Sequence, residues 1–125
     1  MVTKFTPHLD LQASDILAGA IDVLGHKGEH WCKDVITDGY GNYCLLGALS
    51  RAANARNQYG VLLYPDDTAM PQLQKAEAIL LDLLEATVPQ FNDCDETEFA
   101  DIQNVLCRAI KVALEEETLC PTPTI

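Results

Sequence analysis

The stretch from Phe99 to Leu114 constrains this chain more than any other. Phe99, Ile102, Val105, Leu106, Ala109, Ile110, Ala113 and Leu114 recur at spacings of three and four. That is the period of an α-helix with one apolar face. Such a helix is marginal alone in water and needs other helices to cover its stripe. The rest of the chain offers three. Ile16, Leu17, Ala20, Ile21 and Leu24 place a first helix over about 11–25, with Asp10 or Ser14 as its cap and Gly25 and Gly28 at its end. Leu45, Ala48, Leu49 and Ala52 form the buried stripe of a second helix over Cys44–Ala53, and the small Gly47 and Ala48 allow a neighbouring helix to approach. Leu73, Ala76, Ile79, Leu80, Leu83 and Leu84 define a third, entered through Thr68–Pro71 and ending before Pro89.

The connections follow from turn chemistry. Asp38-Gly39 follows the β-prone run Asp34–Thr37 and leads through Tyr40–Tyr43, which predicts a small hairpin. Asn54–Asp67 reads as a loop, with Tyr59–Pro65 as an extended lid, and Gln90–Cys94 as a short connection. Asp95 with Glu98, or Thr97, caps the last helix, which runs to about Glu117. The fold expected is mainly α: a single four-helix domain over residues 10–118, with the hairpin between helices one and two. Residues 1–9 read as a flexible arm and residues 119–125, with two prolines, as a disordered tail. At 125 residues the chain is one domain long.

Charge is unevenly spread. The chain has 19 Asp and Glu against 8 Lys and Arg, a net charge of −11. Residues 1–63 hold six acids and five bases, whereas residues 64–125 hold thirteen acids and three bases. This balance argues against nucleic-acid or anionic-membrane binding. The acidic half reads as a solvated face, as a surface for a basic protein, or as a mimic of a phosphate backbone. Nothing in the sequence is long and apolar enough to span a bilayer, and Met1–Asp10 has no apolar core of an export signal. With five cysteines, an odd number, and no C-x-x-C pair, reduced thiols in the cytoplasm are expected. Cys107 falls in the apolar stripe and reads as core.

Three constellations could carry chemistry. Cys44 opens a helix, where the dipole and free N–H groups lower a thiol pKa. A nucleophile there would need a base, His26 or His30, and an orienter, Asn92 or Asp93. The ordinary alternative is a buried cysteine at the start of an apolar helix. Second, His26, His30 and Cys32 hold types that bind zinc, but Gly28 between the histidines breaks the helix that would align them, and the spacing matches no zinc module. No cofactor is expected. Third, Trp31, Tyr40, Tyr43, Tyr59, Tyr64 and Phe91 sit in or beside loops, either covering the ends of the bundle or lining a patch for a partner.

Trp31, Asp38-x-x-Gly41, Cys44-Leu45-Leu46-Gly47-Ala48-Leu49 and Phe91-Asn92-Asp93 with Thr97 form a pattern. It resembles an uncharacterised family of small actinobacterial and phage proteins, a family of unknown function, over about residues 14–114. His30 stands where that family often has glycine, and Glu96-Thr97 where it usually has Arg-Thr. The resemblance implies a bacterial or phage cytosolic protein and supplies no activity. It marks Trp31, Cys44, Asn92 and Asp93 as one spatial cluster.

The leading expectation is a small acidic accessory protein that binds another protein with a basic surface, phage-encoded and acting on a host factor, through Trp31, Tyr43, Asp93, Asp95, Glu96, Glu98 and Asp101. The alternatives are a hydrolase or transferase centred on Cys44 and a DNA mimic whose carboxylates lie on one elongated face. A homodimer through helix three or four is a further expectation.

Overall fold

The computed structural model describes residues 12–53, 57–58, 61–62 and 70–119. The order is α1 (Ala13–Leu24), α2 (Leu45–Ala52), β1 (Asn57–Gln58), β2 (Val61–Leu62), α3 (Met70–Leu84), α4 (Val88–Asp93) and α5 (Phe99–Leu119). The protein is mainly helical. The expected arm, the lid apart from Val61 and Leu62, which form β2, the Thr68–Pro71 helix entrance apart from Met70 and Pro71, and the tail beyond Leu119 lie outside the described residues. No helix among the described residues is long and apolar enough to cross a membrane.

The stripe on α5 organises the core, as its period requires. Ile102, Val105, Leu106, Ala109 and Ala113 are buried against α1 and α3. α1 is the central helix and packs on α2, α3 and α5 through Ala13, Ile16, Leu17, Ala20 and Leu24. Each fully buried leucine or isoleucine in this core contributes about 1.5–3 kcal/mol. The stripe is narrower than its eight positions suggest: Leu114 is half exposed, and Cys107 is exposed rather than core. Cys107 follows Leu106 by one residue, about 100° around the helix, and faces away from α1.

The caps differ from expectation. The N-cap of α1 is Gln12, whose N–H donates to the Asp15 carboxylate at 2.9 Å. Neither Asp10 nor Ser14 is the cap. Ser14 instead donates from its N–H (3.1 Å) and hydroxyl (2.7 Å) to Glu117, so the end of α5 covers the start of α1. At α5, neither Asp95 nor Thr97 caps: the Glu98 N–H donates to Asp101 Oδ2 at 2.9 Å.

Two corrections concern topology. There are five helices among the described residues, not four, because α4 occupies most of the expected connection Gln90–Cys94. Thr87 Oγ1 accepts from the Gln90 N–H at 3.2 Å, and Gln90 Oε1 accepts from the Thr87 N–H at 3.1 Å. This reciprocal cap starts a helix in which Pro89 sits in the first turn, where its missing N–H costs nothing. The hairpin between helices one and two does not form. Asp34 at φ 74° leaves the extended region at the start of the expected first strand, and Val35 and Ile36 are each 49% exposed, so that strand has no core face. Tyr43 makes single bridges instead, parallel to Trp31 and antiparallel to Thr37. The one ladder among the described residues is β1 with β2, two residues each, between α2 and α3.

Candidate functional site

The connection between α1 and α2 is long, and α4 holds it in place. Asn92 is fully buried, 0% exposed, near the end of α4. Its Oδ1 accepts from the Trp31 indole N–H at 2.7 Å and from the Leu45 backbone N–H at 2.9 Å. Its Nδ2 donates to the Cys32 carbonyl at 3.1 Å and to Asp93 Oδ1 at 2.9 Å. Two accepted and two donated bonds use the full capacity of a carboxamide. Asn92 therefore fastens three elements at once: the chain after α1, the first turn of α2, and α4.

Neighbours reinforce the fastening. Asp93 Oδ1 also accepts from the Asp34 N–H at 2.8 Å, which secures the left-handed backbone there. The Lys33 ammonium donates to the Cys94 carbonyl at 2.7 Å and lies 5.4 Å from the Trp31 ring centroid, within cation–π reach. The Trp31 and Phe99 rings sit 5.8 Å apart and tilted by 49°. Phe99 in turn covers Gly28, where an added Cβ would fall 2.6 Å from the ring. Trp31, Cys44, Asn92 and Asp93 are thus brought together, as the resemblance implied.

The bonding around Cys44 in this cluster is that of a helix cap. Cys44 is the N-cap of α2, and its sulfur accepts from the Gly47 N–H at 3.3 Å. It is 5% exposed. Burial pushes its thiol pKa up, against the lowering by the Gly47 and Leu46 N–H groups, and Asp93 pushes it further up. The dipole effect expected at a helix start is outweighed by desolvation. His30 and His26 are both exposed, and among the described residues no imidazole hydrogen-bonds to Cys44. His26, just beyond α1, lies 3.5 Å from Asp22 in its last turn, an exposed pair. Asn92, one expected orienter, spends its polar atoms on Trp31, Asp93 and two backbone groups, and Oδ1 of Asp93, the other, accepts from Asp34 and Asn92. Cys32 is pushed up to about 11, first by burial and then by Cys44 and nearby carboxylates. Among the described residues no three His, Cys, Asp or Glu side chains are placed to hold a metal. His26, His30 and Cys32 are separated because the chain turns through Gly25 and Gly28 instead of continuing as a helix.

The expected partner-binding residues divide. Tyr43 is 7% exposed, and Trp31 is partly buried with its N–H occupied, so both belong to the scaffold. Asp95, Glu96, Glu98 and Asp101 are exposed around the turn from α4 into α5. In the intervening loop, Tyr40 was among the aromatics expected to line a patch, whereas Val35 and Ile36 were expected only as strand residues. Val35 and Ile36 are half exposed, and Tyr40 is 90% exposed. The loop tip is stiffly built: Asp38 accepts from the N–H groups of Tyr40 (2.8 Å) and Asn42 (3.2 Å) and from Asn42 Nδ2 (2.6 Å). These bonds hold the Asp38 carboxyl below its ordinary pKa, the Asn42 side chain most of all. The loop base is equally tight, because an added Cβ on Gly47 would collide with the Ile36 carbonyl. The small residue therefore admits a loop, not the expected neighbouring helix.

The acids of α5 form two groups. Asp101 lies at one end and Glu115–Glu117 at the other, about 21 Å apart along the axis. Exposed Arg108 and Lys111 stand between them, and Glu117 is engaged by Ser14. The single row of carboxylates that a phosphate mimic calls for is not present on this helix.

A family model described as a family of unknown function (DUF6197) matches residues 8–112. No curated protein and no solved structure matches the chain. The chain belongs to that family of unknown function.

Proposed function

We propose that this chain is a small accessory protein that acts by binding another protein. The proposed face joins the apolar loop tip, Val35, Ile36 and Tyr40, to the carboxylates of Asp34, Asp38, Asp95 and Glu96. One observation carries the reading. The loop is bonded directly to the acidic turn, through Asp34 N–H to Asp93 and Lys33 to the Cys94 carbonyl. Apolar and acidic groups are thus held side by side on one stiff surface. A stiff loop loses little conformational freedom on docking, which favours affinity. The complementary partner is a protein with an apolar recess rimmed by Lys and Arg. Acidic charge would speed its encounter and set its orientation. The setting proposed is the cytoplasm of a bacterium or phage-infected host.

Capture from a bacterial lysate tests this, with the intact chain and an Ile36→Asp/Tyr40→Ser variant immobilised side by side at low and high salt. The expected result is a defined protein held by the intact chain at low salt, released at high salt, and not held by the variant. Equal capture by both chains would contradict it. Light scattering on the purified chain identifies the case in which a second copy occupies the face.

A further inference from the structure

Cys32 and Cys44 stand one residue beyond a paired position. Trp31 and Tyr43 form a parallel bridge, closed by Tyr43 N–H to the His30 carbonyl at 2.8 Å and Cys32 N–H to the Tyr43 carbonyl at 3.0 Å. The bridge is isolated, because the Asn92 carboxamide stands between the Cys32 carbonyl and the Leu45 N–H, but the bond from the Cys32 N–H to the Tyr43 carbonyl keeps the backbones of Cys32 and Cys44 adjacent. A disulfide needs Cα atoms roughly 4.4–6.8 Å apart. Both are free thiols in the structure. Their proximity also shows electrostatically: Cys44 raises the pKa of Cys32, and Asp93 raises both. Cys32 is partly exposed and within reach of a small reagent, whereas Cys44 is buried behind it.

We propose that Cys32 and Cys44 are an exchange pair, closing an intramolecular disulfide by reaction with a low-molecular-weight disulfide of the glutathione class. The Cys32 thiol gives its proton to solvent, and its thiolate attacks one sulfur of the small disulfide. A mixed disulfide forms and one small thiolate leaves. Cys44 then loses its proton and attacks the Cys32 sulfur, expelling the second small thiolate. Two protein thiols are oxidised by two electrons, one small disulfide is reduced to two thiols, and the two leaving thiolates take up the two protons. The bond closes the loop that carries Val35, Ile36 and Tyr40 and ties it to the start of α2. This inference goes beyond the binding reading and stands without it.

The test uses the full chain with Cys94→Ser, Cys107→Ser and Cys120→Ser, equilibrated in glutathione buffers of graded redox ratio, then acid-quenched, digested with trypsin and analysed by mass spectrometry. Cleavage at Lys33 separates the two cysteines, so the cross-link joins peptides 28–33 and 34–51. The expected result is a cross-link whose equilibrium constant in the native chain exceeds that in denaturing urea by about tenfold or more. A native constant equal to or below the unfolded one would overturn the proposal. So would accumulation of Cys32 as the glutathione adduct with Cys44 still free.

Discussion

Asn92 on α4 and Trp31 in the chain after α1 are joined by a 2.7 Å hydrogen bond from indole to carboxamide. The same oxygen takes the Leu45 N–H that opens α2. A helix of six residues, too short to be stable alone, thereby fixes how the loop between α1 and α2 leaves the core.

Replacing Asn92 by Leu leaves the Trp31 and Leu45 N–H groups and the Cys32 carbonyl without partners. The loss expected is about 2–4 kcal/mol, read from urea unfolding midpoints. Asn92→Asp keeps an acceptor but puts a second carboxylate beside Asp93 in a buried place. Its pKa in the folded state is then raised, so the variant is expected to be more stable relative to the parent in mild acid than at pH 7. Equal deficits at both pH values would contradict the geometry.

Gly47→Ala inverts a usual rule. In an open helix the change stabilises by about 1 kcal/mol. Here the new methyl meets the Ile36 carbonyl, which is backbone and cannot swing aside. A destabilisation of about 2–4 kcal/mol is expected from thermal or urea unfolding. Gly41→Ala, with nothing within 4 Å but φ at 92°, is expected to cost about 1 kcal/mol.

Cys44→Ser retains a cap acceptor for the Gly47 N–H, whereas Cys44→Ala removes it at a cost of about 0.5–2 kcal/mol. Timed alkylation with iodoacetamide under native conditions is expected to label the exposed Cys94 and Cys107 first and Cys44 last. Faster labelling of Cys44 than of Cys107 would contradict the buried cap.

Alkaline pH tests the raised thiols. Cys32 ionises near 9 when unfolded and only at about 11 when folded, and Cys44 is shifted in the same direction. The folded state holds these protons longer, so this contribution is intact below pH 9 and is lost as pH rises toward 11. Unfolding midpoints in a pH series are expected to decline over that window, and Cys32→Ala to flatten the decline.

The helices that the sequence makes legible are those whose apolar residues keep one period, from Ile16–Leu24 and Leu73–Leu84 to Ile102–Ala113. α4 was hidden because its apolar content is too brief for a period. Its sign was the Thr87-x-x-Gln90 cap around Pro89, the same first-turn proline that marked Pro71. The grouping of Trp31, Asn92 and Asp93 could be read from motifs, but not its bonding, because hydrogen bonds between residues about sixty apart leave no local pattern. The hairpin expectation took β-prone Val35 and Ile36 at face value. Their exposure, and the left-handed turn at Asp34, depend on Asp93 reaching across from α4.

The Asn92 cluster holds the proposed binding surface in place, with Cys44 a buried helix cap outside that surface. The most direct measurement is binding of the captured partner, by calorimetry, to Cys44→Ser and to Ile36→Asp/Tyr40→Ser in parallel. Cys44→Ser is expected to bind within about twofold of the parent and the loop variant to be weakened about tenfold or more, with both still folded. Loss of binding or of any associated turnover in Cys44→Ser, with the loop variant unaffected, would contradict it.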